Sequence, residues 1–311
     1  MNNTAAVQKR DHVFSKGWFG LIWKMKVAYA FVLPYMLLFM VFTVLPVLIS
    51  ICLSFTSFNI LQPPKFVFMD NYINLFASDD VFTIALKNTL IVAAISGPLS
   101  YLLSYMFAWM INELRPIVRS IVTLIFYAPS IVGNMYVIWT ILFSGDSYGY
   151  INGFLIRLGI IAKPILWLKD PNYMMIVLII IVLWSSLGTS FLAFIAGFQG
   201  VDKSLYEAAA VDGITNRWQE LWYITLPSMR PQLMFGAVMS ITSSFGVGAV
   251  VTQIFGFPSA DYQVHTIINH LEDFGGQRFE MGYASAIAVV LFVLMMATNL
   301  IIKRFLSKVG G

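Results

Sequence analysis

Three histidines (His12, His265 and His270) and one cysteine, Cys52, make up all the imidazole and thiol chemistry of this chain. His265 and His270 are five residues apart, which does not place them on one helical face. With Glu272 and Asp273 close by, they read as a solvated surface loop rather than a metal site. A single cysteine allows neither an intramolecular disulfide nor a Cys-based metal cluster. The Gly-rich phosphate loop with its Lys and Ser/Thr is missing, so ATP has no site of that kind here. The expectation is a protein that is not an enzyme, with no metal site and no cofactor of its own.

The remaining chemistry is neutral hydrogen bonding within apolar sequence. Ser185, Ser186, Thr189 and Ser190 follow Trp184, and Ser240, Thr242, Ser243, Ser244 and Gln253 fall in a second apolar stretch. Hydroxyls and aromatic faces of this kind suit a sugar. They equally suit helix–helix contacts, a common use of Ser and Thr in membrane helices. Tyr127, Asn134 and Tyr136 are weaker candidates of the same sort.

Between those two stretches lies a polar loop, 199–227. Ser204 followed three residues later by Glu207 has the spacing of a capping box, which satisfies orphan amides of a first helical turn. Leu205, Ala208, Ala209 and Ala210 continue a helix, and Gly213 suits the left-handed position that ends one. The expected element is a short helix, Leu205 to Asp212, whose small alanines let another surface approach closely. Arg217, Trp218, Glu220, Trp222 and Tyr223 form a second stretch, halted at Leu226-Pro227. Taken alone, the pattern describes an ordinary interfacial loop helix.

The elements that must carry these residues are apolar helices. Of 311 residues, 59% are hydrophobic and 11% charged, against about 25% charged in ordinary soluble domains; mean hydropathy is +0.79. A spanning helix needs about 20 apolar residues. Six segments have that length: Val27–Phe55, Ile84–Ile111, Ile117–Phe143, Tyr173–Phe198, Pro227–Phe255 and Gly282–Ile302. Pro34, Pro46, Pro98 and Pro129 fall inside them and are tolerable where neighbouring groups satisfy the freed backbone. The first segment is too long for a cleaved signal peptide and reads as a retained helix. No Asp, Glu, Lys, Arg or His lies centrally in any span. That disfavours proton coupling, while sodium sites built from carbonyls and hydroxyls stay open.

Most of the 19 Lys and Arg fall on one side if the N-terminus is inside, so both termini are expected in the cytoplasm. The net charge of +4 is scattered over helix ends, which does not suit nucleic acid. The resulting division is a cytoplasmic N-terminal segment (1–26), a six-helix membrane domain (27–303) and a cytoplasmic tail (304–311). Two longer outer loops, holding Phe58, Phe66, Phe68, Tyr72 and Trp167, suit short helices on the membrane surface.

Glu207-Ala208-Ala209, then Gly213, then Ile224-Thr225-Leu226-Pro227 resembles the EAA motif of ABC importer permeases. The flanking Ala196-Gly197-Phe198-Gln199-Gly200, Asp212-Gly213 and Arg217-Trp218-Gln219 resemble the carbohydrate-uptake, maltose-type branch. Leu33-Pro34, Leu45-Pro46, Asp70-Asn71-Tyr72, Asn88-Thr89 and Met281-Gly282-Tyr283-Ala284-Ser285-Ala286 extend the resemblance over nearly the whole chain. One departure is the ten-residue gap, Ile214 to Tyr223, which is one residue longer than the family's.

The resemblance implies an all-α type I importer permease fold in a bacterial or archaeal inner membrane. The loop helix would couple to a separate ATPase dimer that holds ATP and Mg, driving alternating access. It makes Glu207, Ala208, Ala209, Asp212 and Gly213 the ATPase-docking residues, and Ser185, Ser186, Thr189, Ser240 and Ser243 the substrate-path residues. It also implies a second, homologous permease subunit in a heterodimer, an extracytoplasmic solute-binding protein and a sugar substrate. A polyol or glycerol-phosphate-type solute is the alternative; an ion-coupled secondary transporter is the more distant one.

Overall fold

The computed structural model describes residues 25–132 and 136–309. His12, Lys9, Arg10, Lys16, Lys24 and Asn134 lie outside the described residues. The chain is built of apolar helices, as its composition requires. Four are long and apolar enough to cross a membrane: Lys26–Leu53, Asp80–Asn112, Pro171–Gly200 and Met281–Arg304. Two bent helix pairs, Pro116–Ile131 with Tyr136–Leu142 and Arg230–Phe245 with Gly248–Phe255, bring the number to six if each pair is one span.

Helix α1, Lys26–Leu53, widens into a π turn at Met40–Val44. The cause is Pro46, which has no amide for the carbonyl four residues back and would clash with it; a wider turn relieves both. The same arrangement recurs at Leu221–Thr225, ahead of Pro227. After α1 the chain forms an antiparallel hairpin, β1 (Thr56–Asn59) and β2 (Gln62–Phe66), paired Thr56 to Phe66. A short helix, α2 (Asp70–Ala77), follows. The first outer loop is therefore hairpin plus helix. Its Thr and Phe residues favour the extended conformation.

Helix α3, Asp80–Asn112, is the longest helix of the bundle, and the Asp79 carboxylate caps it by accepting from the Phe82 amide at 2.8 Å. Its buried stripe includes Ser96, Gly97, Ser100, Ser104 and Ala108. Small residues at this spacing let neighbouring helices approach closely. Helices α4 (Pro116–Ile131), α5 (Tyr136–Leu142) and α6 (Tyr150–Arg157) follow. The fourth span is two helices, α7 (Pro171–Ser185) and α8 (Thr189–Gly200). Then come α9 (Lys203–Val211), α10 (Arg217–Glu220), α11 (Arg230–Phe245) and α12 (Gly248–Phe255). The chain ends with α13 (Ile267–Glu272) and α14 (Met281–Val309).

Helices α3, α8 and α11 pack on one another at the centre. Gly236 makes the α8–α11 approach possible, because a Cβ there would enter the Phe194 ring. A mostly aromatic cluster of Phe191, Phe194, Phe198, Leu221 and Met229 fills the end near α9.

Candidate substrate path and docking helix

The five hydroxyl residues expected along the path converge on one cavity. Span four breaks at Ser186-Leu187-Gly188 between α7 and α8. Span five bends by 41° between α11 and α12. The two irregularities face each other across a cavity of about 260 Å³ lined by Ser185, Ser186, Thr189, Ser240 and Ser243. Interrupted backbone at membrane depth is tolerated where it lines a cavity.

Most of these hydroxyls already spend their proton on their own helix. Ser185 donates to the Ile181 carbonyl at 3.0 Å, Ser186 to Leu183 at 2.6 Å and Ser243 to Met239 at 2.9 Å. Their oxygen lone pairs stay available, so the wall presents acceptors suited to the O–H donors of a solute. Deeper in the wall, Ser240 donates to Ser190 Oγ at 3.1 Å, and Ser190 donates to the Gly236 carbonyl, also at 3.1 Å. That pair fastens α8 to α11. Among the described residues no Asp, Glu, Lys, Arg or His lines the cavity, and Tyr136 brings a phenol to it.

Tyr136 thus joins the site, whereas Tyr127 lines a separate groove between α4 and α8. Ser100 and Ser130 also line the cavity. Ser100 belongs to the small-residue stripe of α3 and Ser130 lies near the end of α4; neither falls in the hydroxyl clusters of spans four and five.

The docking loop forms a helix at the other end of α8, but its start differs from expectation. The cap is Asp202, whose carboxylate accepts from the Ser204 amide at 3.0 Å; that bond holds the carboxyl below its usual range. Ser204 is already inside the helix, and no Ser204–Glu207 capping box forms. Asp is as good a cap as Ser, and its charge also favours the positive end of the helix. The far end agrees with expectation. Gly213 takes φ +92°, the Gly213 amide bonds the Ala210 carbonyl and the Ile214 amide bonds Ala209. This is the paired C-terminal motif that glycine permits.

Glu207, Ala208, Asp212 and Gly213 are exposed, while Ala209 turns inward and is 7% exposed. Glu207 has no hydrogen bond or ion pair among the described residues. Ala209 thus packs α9 onto its own chain, and the outward face is Glu207, Ala208 and Asp212.

The histidine loop corrects another expectation: His265 and His270 are each 2% exposed. The stretch folds back into the bundle because α3 supplies its polar partners. Asn88 Nδ2 donates to the Tyr262 and His265 carbonyls, both at 3.0 Å, and the Ile267 amide donates to Thr89 Oγ1 at 2.9 Å. His270 Nε2 lies 3.0 Å from Asp79 Oδ2, which also accepts from the Tyr283 hydroxyl at 2.8 Å. Burial pushes both imidazoles down, His265 to about 4, so both are neutral at pH 7. Burial alone would raise Asp79, but the Phe82 amide, Tyr283 and His270 outweigh it and hold the carboxyl below its usual value. The His270–Asp79 contact is therefore a neutral N–H donating to a carboxylate. These groups border a second, larger cavity of about 710 Å³ beside the hairpin, at the opposite end of α3 from α9. No group of three or more potential metal ligands exists among the described residues.

Residues 98–311 match the family described as binding-protein-dependent transport system inner membrane component. The chain belongs to that family. It is a transport permease, not an enzyme. The permease is 33% identical over 89% of its length to the probable ABC transporter permease protein YesP of Bacillus subtilis (strain 168), and covers 89% of that relative. It is 30% identical to the lactose transport system permease protein LacF of Rhizobium radiobacter, covering 73% of this chain and 74% of the relative. Its fold matches a chain of a bacterial alginate ABC transporter, solved with an alginate pentasaccharide-bound periplasmic protein. That match has a TM-score of 0.76 at 23% identity and covers 94% of this permease and 98% of the other chain.

Proposed function

We propose that this permease moves a sugar or oligosaccharide across the inner membrane by alternating access, driven by a separate ATPase dimer docked on α9. The observation that carries the reading is the cavity where the breaks of spans four and five meet. Its lining is neutral and hydroxylated, with Tyr136 as an aromatic face. That chemistry fits a neutral polyhydroxy solute, and the likeness to a lactose permease supports it. A phosphorylated solute would call for a cation, and none is among the described residues of the lining. ATP and Mg would be held by the partner ATPase.

The α9 end carries Arg115, Arg119, Lys203, Arg217 and Arg230 in its loops and helix ends, with Lys303 and Arg304 in the last turns of α14. This supports a cytoplasmic location for that end and for both termini. The hairpin end would then meet an extracytoplasmic solute-binding protein. A second permease subunit, as a heterodimer partner, would supply the other wall of the path.

Docking is tested by Glu207→Lys with Ala208→Arg, both outward-facing, in an affinity-tagged chain isolated from native membranes. Loss of the co-purifying ATP hydrolysis is expected; retention would overturn docking on α9. For the solute, ATP hydrolysis by the isolated transporter with its binding protein is measured against lactose, maltose and glycerol 3-phosphate. Stimulation by a neutral saccharide is expected, and stimulation by glycerol 3-phosphate alone would overturn the sugar assignment.

A further inference from the structure

Helix α9 has nine residues and exposes most of its surface, so few groups tie it to the bundle. One is the buried Ala209. Another is the Tyr206 hydroxyl, 2.9 Å from Thr225 Oγ1. Thr225 is 4% exposed and lies in the π turn Leu221–Thr225, just ahead of Pro227 and α11. The threonine hydroxyl has one proton, and it goes to the Glu220 carbonyl at 3.2 Å. The arrangement that satisfies both contacts has Tyr206 donating to Thr225. The bonds run from the Tyr206 hydroxyl to the Thr225 hydroxyl and on to the Glu220 carbonyl.

Other ties between this loop and the bundle are exposed: the Trp218 ring lies 5.0 Å from that of Trp109 on α3, and Trp218 is 65% exposed. Arg217 bonds Glu220 at 2.9 Å and Glu113 at 3.1 Å, but its side chain is 66% exposed. Exposed ion pairs contribute little. The direct chain route from α9 to α10 passes Gly213, whose surroundings are open space, and then the exposed Thr215 and Asn216. A force applied to α9 would be absorbed there by backbone rotation. The Tyr206–Thr225 bond bypasses that segment and reaches the head of the span that carries Ser240 and Ser243.

We propose that the Tyr206–Thr225 hydrogen bond is the strut that transmits displacement of α9 to span five, with Tyr206 and Thr225 as positioning residues. The proposal rests on the reading of α9 as the ATPase-docking helix. Its test uses the whole transporter isolated from native membranes, with Cys52→Ser removing the native thiol and Ser243→Cys reporting on the cavity. The rate at which a water-soluble maleimide labels position 243 is measured with and without ATP plus vanadate.

In the parent, trapping is expected to change the labelling rate by roughly tenfold, as a two-state population shift would. In Tyr206→Phe and in Thr225→Val the response should fall to about twofold or less, with the double variant no worse than either single one. The ATPase should still co-purify with each variant, and Thr225→Ser should restore the response. A full response in Tyr206→Phe or Thr225→Val overturns the strut while leaving docking intact. Loss of the ATPase from these variants, or failure of Thr225→Ser to restore the response, overturns it in favour of a packing role. Retention of the ATPase by Glu207→Lys with Ala208→Arg overturns the docking reading and the strut with it.

Discussion

Gly213 sits at φ +92°, a left-handed conformation that an L side chain adopts only under strain. Gly213→Ala should destabilise the end of α9 by about 1 kcal/mol, read as faster amide exchange at Ala210–Ile214 with the rest of the bundle unchanged. Gly213 was legible because glycine has few rivals for this position. The cap at the other end was not. The Ser204–Glu207 spacing offers one first turn, Asp202 makes the actual one two residues earlier, and the choice depends on where the chain leaves α8. The histidines were misread for a related reason. A buried polar segment looks like a loop in sequence, since its partners, Asn88 and Thr89, are far away in the chain.

The buried imidazoles give stability a pH dependence of definite sign. Both His265 and His270 have values depressed below the ordinary 6.5, so the unfolded chain binds more protons than the folded one below that pH. Their contribution is complete above about pH 6.5 and is lost as pH falls toward the folded values, near 4 for His265. Asp79 works in the same direction at lower pH, its carboxyl being depressed in the folded state. Thermal unfolding of the detergent-solubilised chain should therefore show a midpoint that falls by several degrees between pH 7 and pH 5. The fall should be shallower in His265→Gln. A flat profile in the parent would contradict the neutral, buried state of the pair.

At the scale of elements, the six apolar runs marked the spans, because a membrane leaves so little choice of spanning structure. Hydropathy did not mark where those spans are interrupted. The break at Ser186-Leu187-Gly188 and the bend after Phe245 fall among the hydroxyl and glycine residues 185–190 and 242–248, which are too few to lower the hydropathy of a span-length run; packing of α7, α8, α11 and α12 around one cavity gives these residues their place. The hairpin went unread because aromatics at a membrane boundary fit an interfacial helix as well as a strand. Convergence of the two interruptions predicts that bulk placed there blocks passage without unseating α9. Ser243 is exposed toward the cavity, so Ser243→Phe should reduce uptake to background while leaving the co-purifying ATP hydrolysis in place. Normal uptake in that variant would move the path away from the α7–α8 break.

Among the described residues, charge is confined to the loops and the ends of the spans. Lys87 lies deepest along α3, in its second turn. Helix α3 has 33 residues and is about 50 Å long, against about 30 Å of hydrocarbon, so its overhang keeps Lys87 near the boundary. His270 and Asp79, the buried pair, sit at the hairpin end rather than midway. A carrier driven by protons needs a titratable group that both sides can reach in turn, and among the described residues no Asp, Glu, Lys, Arg or His lines the cavity of spans four and five. On the proposed reading, the energy for a directional cycle enters through the α9 end, where the ATPase is proposed to dock. In proteoliposomes holding the assembled transporter and internal ATP, uptake should persist when a protonophore and a sodium ionophore collapse the gradients. Vanadate should stop it. Uptake that collapses with the gradients at constant ATP would mean that an ion site built from carbonyls and hydroxyls, such as those around Ser186 and Gly188, drives transport.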